Sequence, residues 1–202
     1  MALFKVITED EKGNKILYKK PEDLIRLIHY VQKKSVYFET YNLFPLDVDS
    51  IINQMLYLQS CKGGEIHTRA LHFVLSFDTQ GWEWEMVREK VFECIHVVYF
   101  AAEAFGLQGY QCCAGVHDLK SHKHIHFVLN PVNITTKKIL HYYVYQYTAF
   151  LRELSMWLFS KFRIVLMDIS YVDENGHLRF YNGSNKTSFL YENRLYSHES
   201  LR

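Results

Sequence analysis

The run His117-Asp118-Leu119-Lys120-Ser121-His122-Lys123-His124-Ile125-His126-Phe127-Val128-Leu129-Asn130 constrains this chain more than any other segment. Side chains alternate between the faces of an extended strand, so His122, His124, His126 and Asn130 project to one side while Ile125, Phe127 and Leu129 project to the other. With 11 histidines in 202 residues, an alternating triplet is expected by chance only about 0.03 times. The run therefore predicts a strand with an apolar face for a core and an imidazole face for chemistry. If the polar turn Asp118 to Ser121 folds the preceding strand, about Gly109 to His117, back alongside as a hairpin, His117 falls beside His124 and His126. Three imidazole nitrogens then converge. Three protein ligands with open positions suit a catalytic divalent cation that also takes a substrate oxygen, whereas a structural zinc site is closed by a fourth protein ligand. Gly115, Cys113 and Gln111 share the face of His117 and look small enough to admit a bulky substrate.

Elsewhere the pattern alternates strands and helices. Phe4 to Thr8 and Lys15 to Tyr18 flank Glu11-Lys12-Gly13-Asn14 as a hairpin would. Pro21, Glu22 and Asp23 suit a first helical turn, and Leu24, Leu27, Ile28 and Val31 follow at helical spacing. A second helix is predicted from Asp47 to about Gln59, with Val48, Ile51, Ile52, Met55 and Leu56 in one stripe ended by Lys62-Gly63-Gly64. Ile66 to Phe77 reads as a strand, about Trp82 to Phe105 as a long helix stopped by Gly106, and about Tyr142 to Phe159 as another. Arg163 to Val172 and His177 to Phe180 close the pattern as a hairpin around Asp173-Glu174-Asn175-Gly176. The fold class expected is α+β: a two-layer sandwich with a central antiparallel sheet and helices packed mainly on one face. A single domain is expected over 1–180, followed by a polar tail over 181–202.

Composition excludes more than it suggests. The formal net charge is only +1, without the strong basic excess of many nucleic-acid binders. The longest apolar runs are strand-sized, and the N-terminus lacks the basic, apolar and small-residue regions of a signal peptide, so a cytoplasmic location is expected. Cys61, Cys94, Cys112 and Cys113 show no C-x-x-C spacing and read as small buried hydrophobes.

The histidine run resembles the third motif of conjugative relaxases of the HUH endonuclease superfamily, in the VirD2-like mobilisation class. There H-x-D-x-x-H-x-H-x-H precedes an apolar strand ending in Asn, matched here by His117, His122, His124, His126 and Asn130. The family acid lies two residues after the first His; here Leu119 holds that place and Asp118 is the acid. A second motif ending H-x-x-x-S-F is matched by His72 to Phe77, and a first motif like Ile-x-Tyr-(Ile/Val) by Ile28-His29-Tyr30-Val31. The tyrosine precedes the histidines, as in relaxases; rolling-circle initiators and small HUH transposases place it after them.

The resemblance implies a DNA relaxase that nicks one strand at a transfer origin and keeps the 5′ phosphate on a tyrosine. Tyr30 is the expected nucleophile, with Tyr37 and Tyr41 as runners-up. His117, His124 and His126 are the expected ligands of Mn²⁺ or Mg²⁺, with His122 as a further metal or DNA contact and Asp118 as orienter or base. His72, Ser76, Arg69, Lys120, Lys123 and Asn130 are expected to touch single-stranded or locally melted DNA. Accessory mobilisation proteins and a coupling protein are the implied partners. Two other readings remain open at this point: a metal-dependent hydrolase without a covalent intermediate, and a DNA-binding accessory protein of the same fold that has lost turnover.

Overall fold

The computed structural model describes residues 1–8, 15–78, 84–104, 106, 108–118, 123–141 and 143–181. Strands β1 (Ala2–Val6), β2 (Ser35–Tyr41), β3 (Leu71–Phe77), β4 (Tyr110–Asp118) and β5 (Lys123–Asn133) form one sheet in the order β1-β3-β5-β4-β2. Every neighbouring pair is antiparallel. Helices α1 (Pro21–Lys33), α2 (Val48–Ser60), α3 (Trp84–Ala104) and α4 (Val144–Phe162) pack on it, and β6 (Ser170–Val172) pairs with β7 (Leu178–Phe180) as a small hairpin.

The two faces of β4 and β5 are both covered, which explains why both strands are buried along almost their whole length. Ala114, Val116, Ile125, Phe127 and Leu129 meet α3 and α4 through Ile95, Leu151, Leu154 and Leu158. Fully burying such an aliphatic side chain contributes about 1.5–3 kcal/mol, so this layer is the main source of stability. On the opposite face Cys113 and Val128 meet Leu24, Leu27, Ile28 and Val31 of α1 and Ile52 and Met55 of α2. The sheet is antiparallel as expected, but its helices are shared two and two between the faces instead of gathered on one. The apolar stripes of α1 and α2 need burial, and the histidine face beyond the histidines themselves, at Cys113 and Val128, is apolar enough to supply it.

Element bounds differ from the sequence expectations at the ends. β3 begins at Leu71, not Ile66, and the closing hairpin is confined to β6 and β7, with Asp173 accepting hydrogen bonds from the Asn175 and His177 amides in its turn. The N-terminal hairpin survives as a bond from the Ile16 amide to the Thr8 carbonyl, with 9–14 outside the described residues. Instead of pairing with its own return strand, β1 lies against β3. Edge strand β2 was not anticipated, although Val36, Tyr37, Phe38, Thr40 and Tyr41 are all strand formers. All four cysteines are free; Cys94, Cys112 and Cys113 are buried, but Cys61, at the end of α2, is exposed. The expected tail beyond residue 181 lies outside the described residues. No helix among the described residues is long and apolar enough to cross a membrane.

Candidate metal and nucleophile site

Register in the β4–β5 hairpin sets the site. His117 stands opposite His124, and Gly115 opposite His126. The three rings lie 4.4 to 5.2 Å apart between centroids, and one nitrogen from each falls within 4.8 Å of the other two. Among the described residues this is the one group of three or more histidine, cysteine or carboxylate side chains gathered closely enough to hold a metal ion.

Two of the imidazoles have their other nitrogen held. His117 Nε2 donates to the Val31 carbonyl at 2.8 Å, which leaves the lone pair on Nδ1. The same carbonyl accepts from Ser35 Oγ at 2.5 Å, and it lies at the C-terminal end of α1, where the helix dipole is negative and favours a cation. His126 Nδ1 lies 2.8 Å from His72 Nε2, while His126 Nε2 is buried without a hydrogen-bond partner. A buried polar atom left unmatched costs about 1–3 kcal/mol, and a cation at this nitrogen removes that cost. The donor set therefore fits a divalent ion.

Electrostatics prepare the same outcome. Burial, reinforced by the like charges of His72, His117 and His124, pushes His126 down to about 2. Burial likewise lowers His72 to about 4 and lowers His117 against the opposing hydrogen bond to Val31. His72, His117 and His126 are thereby held toward the neutral form, the form in which an imidazole coordinates a metal.

Tyr30 closes the constellation. Its ring meets those of His117 and His126 edge to face, each at 5.5 Å, and it keeps 43% exposure, so the phenol sits beside the cluster and faces solvent. Lys34 Nζ lies 5.2 Å from the centre of the same ring. What brings α1 this close is Gly115, where a Cβ would stand 2.2 Å from Ser35 Oγ, 2.6 Å from Val31 Cγ1 and 3.1 Å from the Val31 carbonyl oxygen. The smallness at Gly115 admits the protein's own helix, not a substrate. Tyr37 and Tyr41 leave from the other face of β2, stacked on Phe92 at 4.3 Å and on Tyr99 at 4.8 Å. His29, next to Tyr30, is half exposed and faces Asp49 of α2 at 3.7 Å.

Several anticipated residues stand elsewhere. Asp118 is adjacent to His117 and so projects to the opposite face, where it pairs across the hairpin with Lys123. It is neither orienter nor base for the cluster, and Lys123 is neutralised by it. Asn130 shares the histidine face but is 0% exposed. Its amide donates to the Met55 carbonyl and Gln111 Oε1, and its oxygen accepts from Gln59 Nε2 and the Val132 amide. That satisfies the whole amide and leaves nothing for DNA. Arg69 is half-buried and donates to Gln59 Oε1 in the same network. His72 is buried with both ring nitrogens occupied, by His126 and by the Tyr18 hydroxyl at 2.9 Å. Ser76, half-buried, stands opposite His124. His122 and Lys120 lie outside the described residues. Tyr18, Gly115 and the Val31 carbonyl were not singled out for these roles; only the smallness of Gly115 was a visible signal.

With the fold and cluster in view, the comparisons agree. Residues 24–157 match the family Relaxase: MobA/VirD2-like, nuclease domain, and the chain belongs to that family. The class is thus a DNA-nicking endonuclease of the relaxase type. Among solved structures it is similar to the MobM relaxase domain (MOBV; Mob_Pre) bound to 26-nucleotide pMV158 oriT DNA, with TM-score 0.54 and 15% identity over 81% of this chain and 88% of that one. It is similar too to the Mn-bound crystal structure of the same domain with 22-nucleotide oriT DNA at pH 5.5, with TM-score 0.54 and 12% identity over 94% and 98%. At such identities the likeness speaks for the fold. A comparison with curated protein sequences finds no match.

Proposed function

We propose that this relaxase nicks one strand of single-stranded or locally melted DNA at an origin of transfer, with Tyr30 as nucleophile and His117, His124 and His126 holding Mn²⁺ or Mg²⁺. The observation that carries the reading is the Tyr30 ring lying against two of the three clustered imidazoles. The Mn-bound and oriT-bound state of the structurally similar MobM domain supports it.

The Tyr30 oxygen attacks the scissile phosphorus; the new bond is P–Oη and the bond broken is that to the 3′ oxygen. The phenol proton leaves to solvent and the 3′ oxygen regains one, so the step exchanges one phosphodiester for another, keeps the bond energy available for religation and needs no nucleotide. When bound, the cation supplies Lewis-acid stabilisation of the phosphate charge. The protein supplies position: α1 holds the phenol over the cluster, Val31 and His72 fix two imidazoles, Lys34 adds positive charge beside the attacking ring, and Ser76 contacts the DNA backbone. Accessory mobilisation proteins and a coupling protein complete the transfer machinery, and the enzyme works in the cytoplasm.

Incubation with end-labelled single-stranded DNA and Mn²⁺ tests the reading. The expected product is a protein–DNA adduct that survives SDS, absent from Tyr30→Phe although that variant still binds the metal. A free 5′ phosphate without adduct would instead establish a hydrolase, and undiminished adduct in Tyr30→Phe would remove Tyr30 from the chemistry.

A further inference from the structure

Behind His126 stands a chain of hydrogen bonds that runs through buried His72 to half-buried Tyr18. His126 Nδ1 is 2.8 Å from His72 Nε2, and His72 Nδ1 is 2.9 Å from the Tyr18 hydroxyl. The arrangement is built, not incidental. The Arg69 amide donates to the Tyr18 carbonyl at 2.6 Å, and the Ile7 amide to the His72 carbonyl at 2.8 Å, tying Tyr18 to the segment before β3 and His72 to the segment after β1. The 72 and 126 rings lie nearly parallel, 28° apart with centroids 5.0 Å apart, and Tyr18 meets His72 edge to face at 6.1 Å.

We infer that Tyr18 and His72 are positioning residues for the metal, acting through the tautomer of His126. This rests on the metal reading of His117, His124 and His126 given above. Each link carries one proton, so the neutral chain has two arrangements. In one, Tyr18 donates to His72 Nδ1, His72 Nε2–H donates to His126 Nδ1, and the remaining His126 proton sits on Nε2, where it blocks coordination. In the other, His126 Nδ1–H donates to His72 Nε2, His72 Nδ1–H donates to the Tyr18 oxygen, and His126 Nε2 turns its lone pair to the cluster. That nitrogen is the buried one without a hydrogen-bond partner. The second arrangement is the one a cation selects, and the Tyr18 oxygen sustains it by accepting the far proton. His72 thus serves the metal from behind its ligand; both its nitrogens are taken before any DNA arrives.

The test is Mn²⁺ affinity by calorimetric titration, without DNA, on the parent protein and on His126→Ala, His72→Leu, His72→Gln and Tyr18→Phe, each checked for folding by thermal melting in chelator. Removing a partner behind a metal ligand typically weakens binding about 10- to 100-fold, which is the loss expected for His72→Leu. His72→Gln should recover to within a few-fold of the parent, because its amide oxygen can accept the His126 proton, and Tyr18→Phe should lie between Gln and Leu. Parental affinity in His72→Leu, or Gln no better than Leu, overturns the inference while leaving the metal site standing. If His72→Leu does not fold, parental affinity in Tyr18→Phe overturns it. No Mn²⁺ binding by the parent, or none lost in His126→Ala, brings down the metal reading itself and the inference with it.

Discussion

Gly115 shows how a single residue without a side chain sets the chemistry. A Cβ there would press on Val31 and Ser35, the residues whose backbone and hydroxyl meet at the bond that orients His117. Overpacking of this kind costs about 1–3 kcal/mol, so Gly115→Ala should lower the urea midpoint by a corresponding amount. Because the strain falls next to Tyr30, adduct yield measured well below that midpoint should fall further than stability does; a destabilised variant with parental yield would detach Gly115 from the site. Asn130 makes the opposite case. Asn130→Ala strands Gln59, Gln111 and the Met55 carbonyl and should cost roughly 3 kcal/mol. Its folded fraction should bind single-stranded DNA as the parent does, and a specific loss of DNA affinity would return Asn130 to the interface. The histidine cluster was legible in the sequence because strand alternation alone puts two of its members together and a short turn adds the third. Asp118 stands one residue short of the motif's acid position, and the same alternation sends it to the far face beside Lys123. Tyr18 was invisible because its only link to the site is a contact between distant segments.

At the scale of elements, α1 is the part that sets the Tyr30 ring against the histidine cluster. Its first turn is fastened by Asp23, whose carboxylate accepts from the Lys19 and Lys20 amides at 3.0 and 2.9 Å and from Arg26. The Lys20 amide bond, aided by Arg26 and Lys19, holds this carboxyl below its ordinary value of 3.8. A lowered carboxyl stabilises the fold fully above the unfolded value, and that contribution fades as pH falls through the folded one. Asp23→Ala should therefore cost about 1 kcal/mol at neutral pH, as loss of a helix cap does, with the difference from the parent shrinking in acid melts below pH 3.8. A deficit unchanged in acid would assign the loss to something other than the charge. Helix identities were readable from the spacing of Leu24, Leu27, Ile28 and Val31 and from Val48 to Leu56. The face they cover was not, since an apolar stripe records that a helix is buried but not against what. β2 was passed over because it begins only two residues after α1 ends.

For the whole molecule, two apolar layers hold one histidine hairpin between them, and a ligand that binds only the folded hairpin must raise stability by mass action. Mn²⁺ at 100 times its dissociation constant should add about 2.7 kcal/mol, seen as a rise in melting temperature that chelator reverses and that His126→Ala lacks. An equal rise in that variant would place the ion elsewhere. The formal net charge of +1 gives the molecule no strong overall basic excess, and Lys34 stands beside the Tyr30 ring. The central claim, that the phenol of α1 becomes joined to DNA beside the three imidazoles, is tested most directly by isolating the SDS-resistant adduct, digesting it with trypsin and nuclease, and locating the nucleotide by mass spectrometry. The account predicts the modification on the peptide Leu27 to Lys33, at Tyr30. A nucleotide found on His29 of that peptide, or on any peptide carrying Tyr37 or Tyr41, would contradict it.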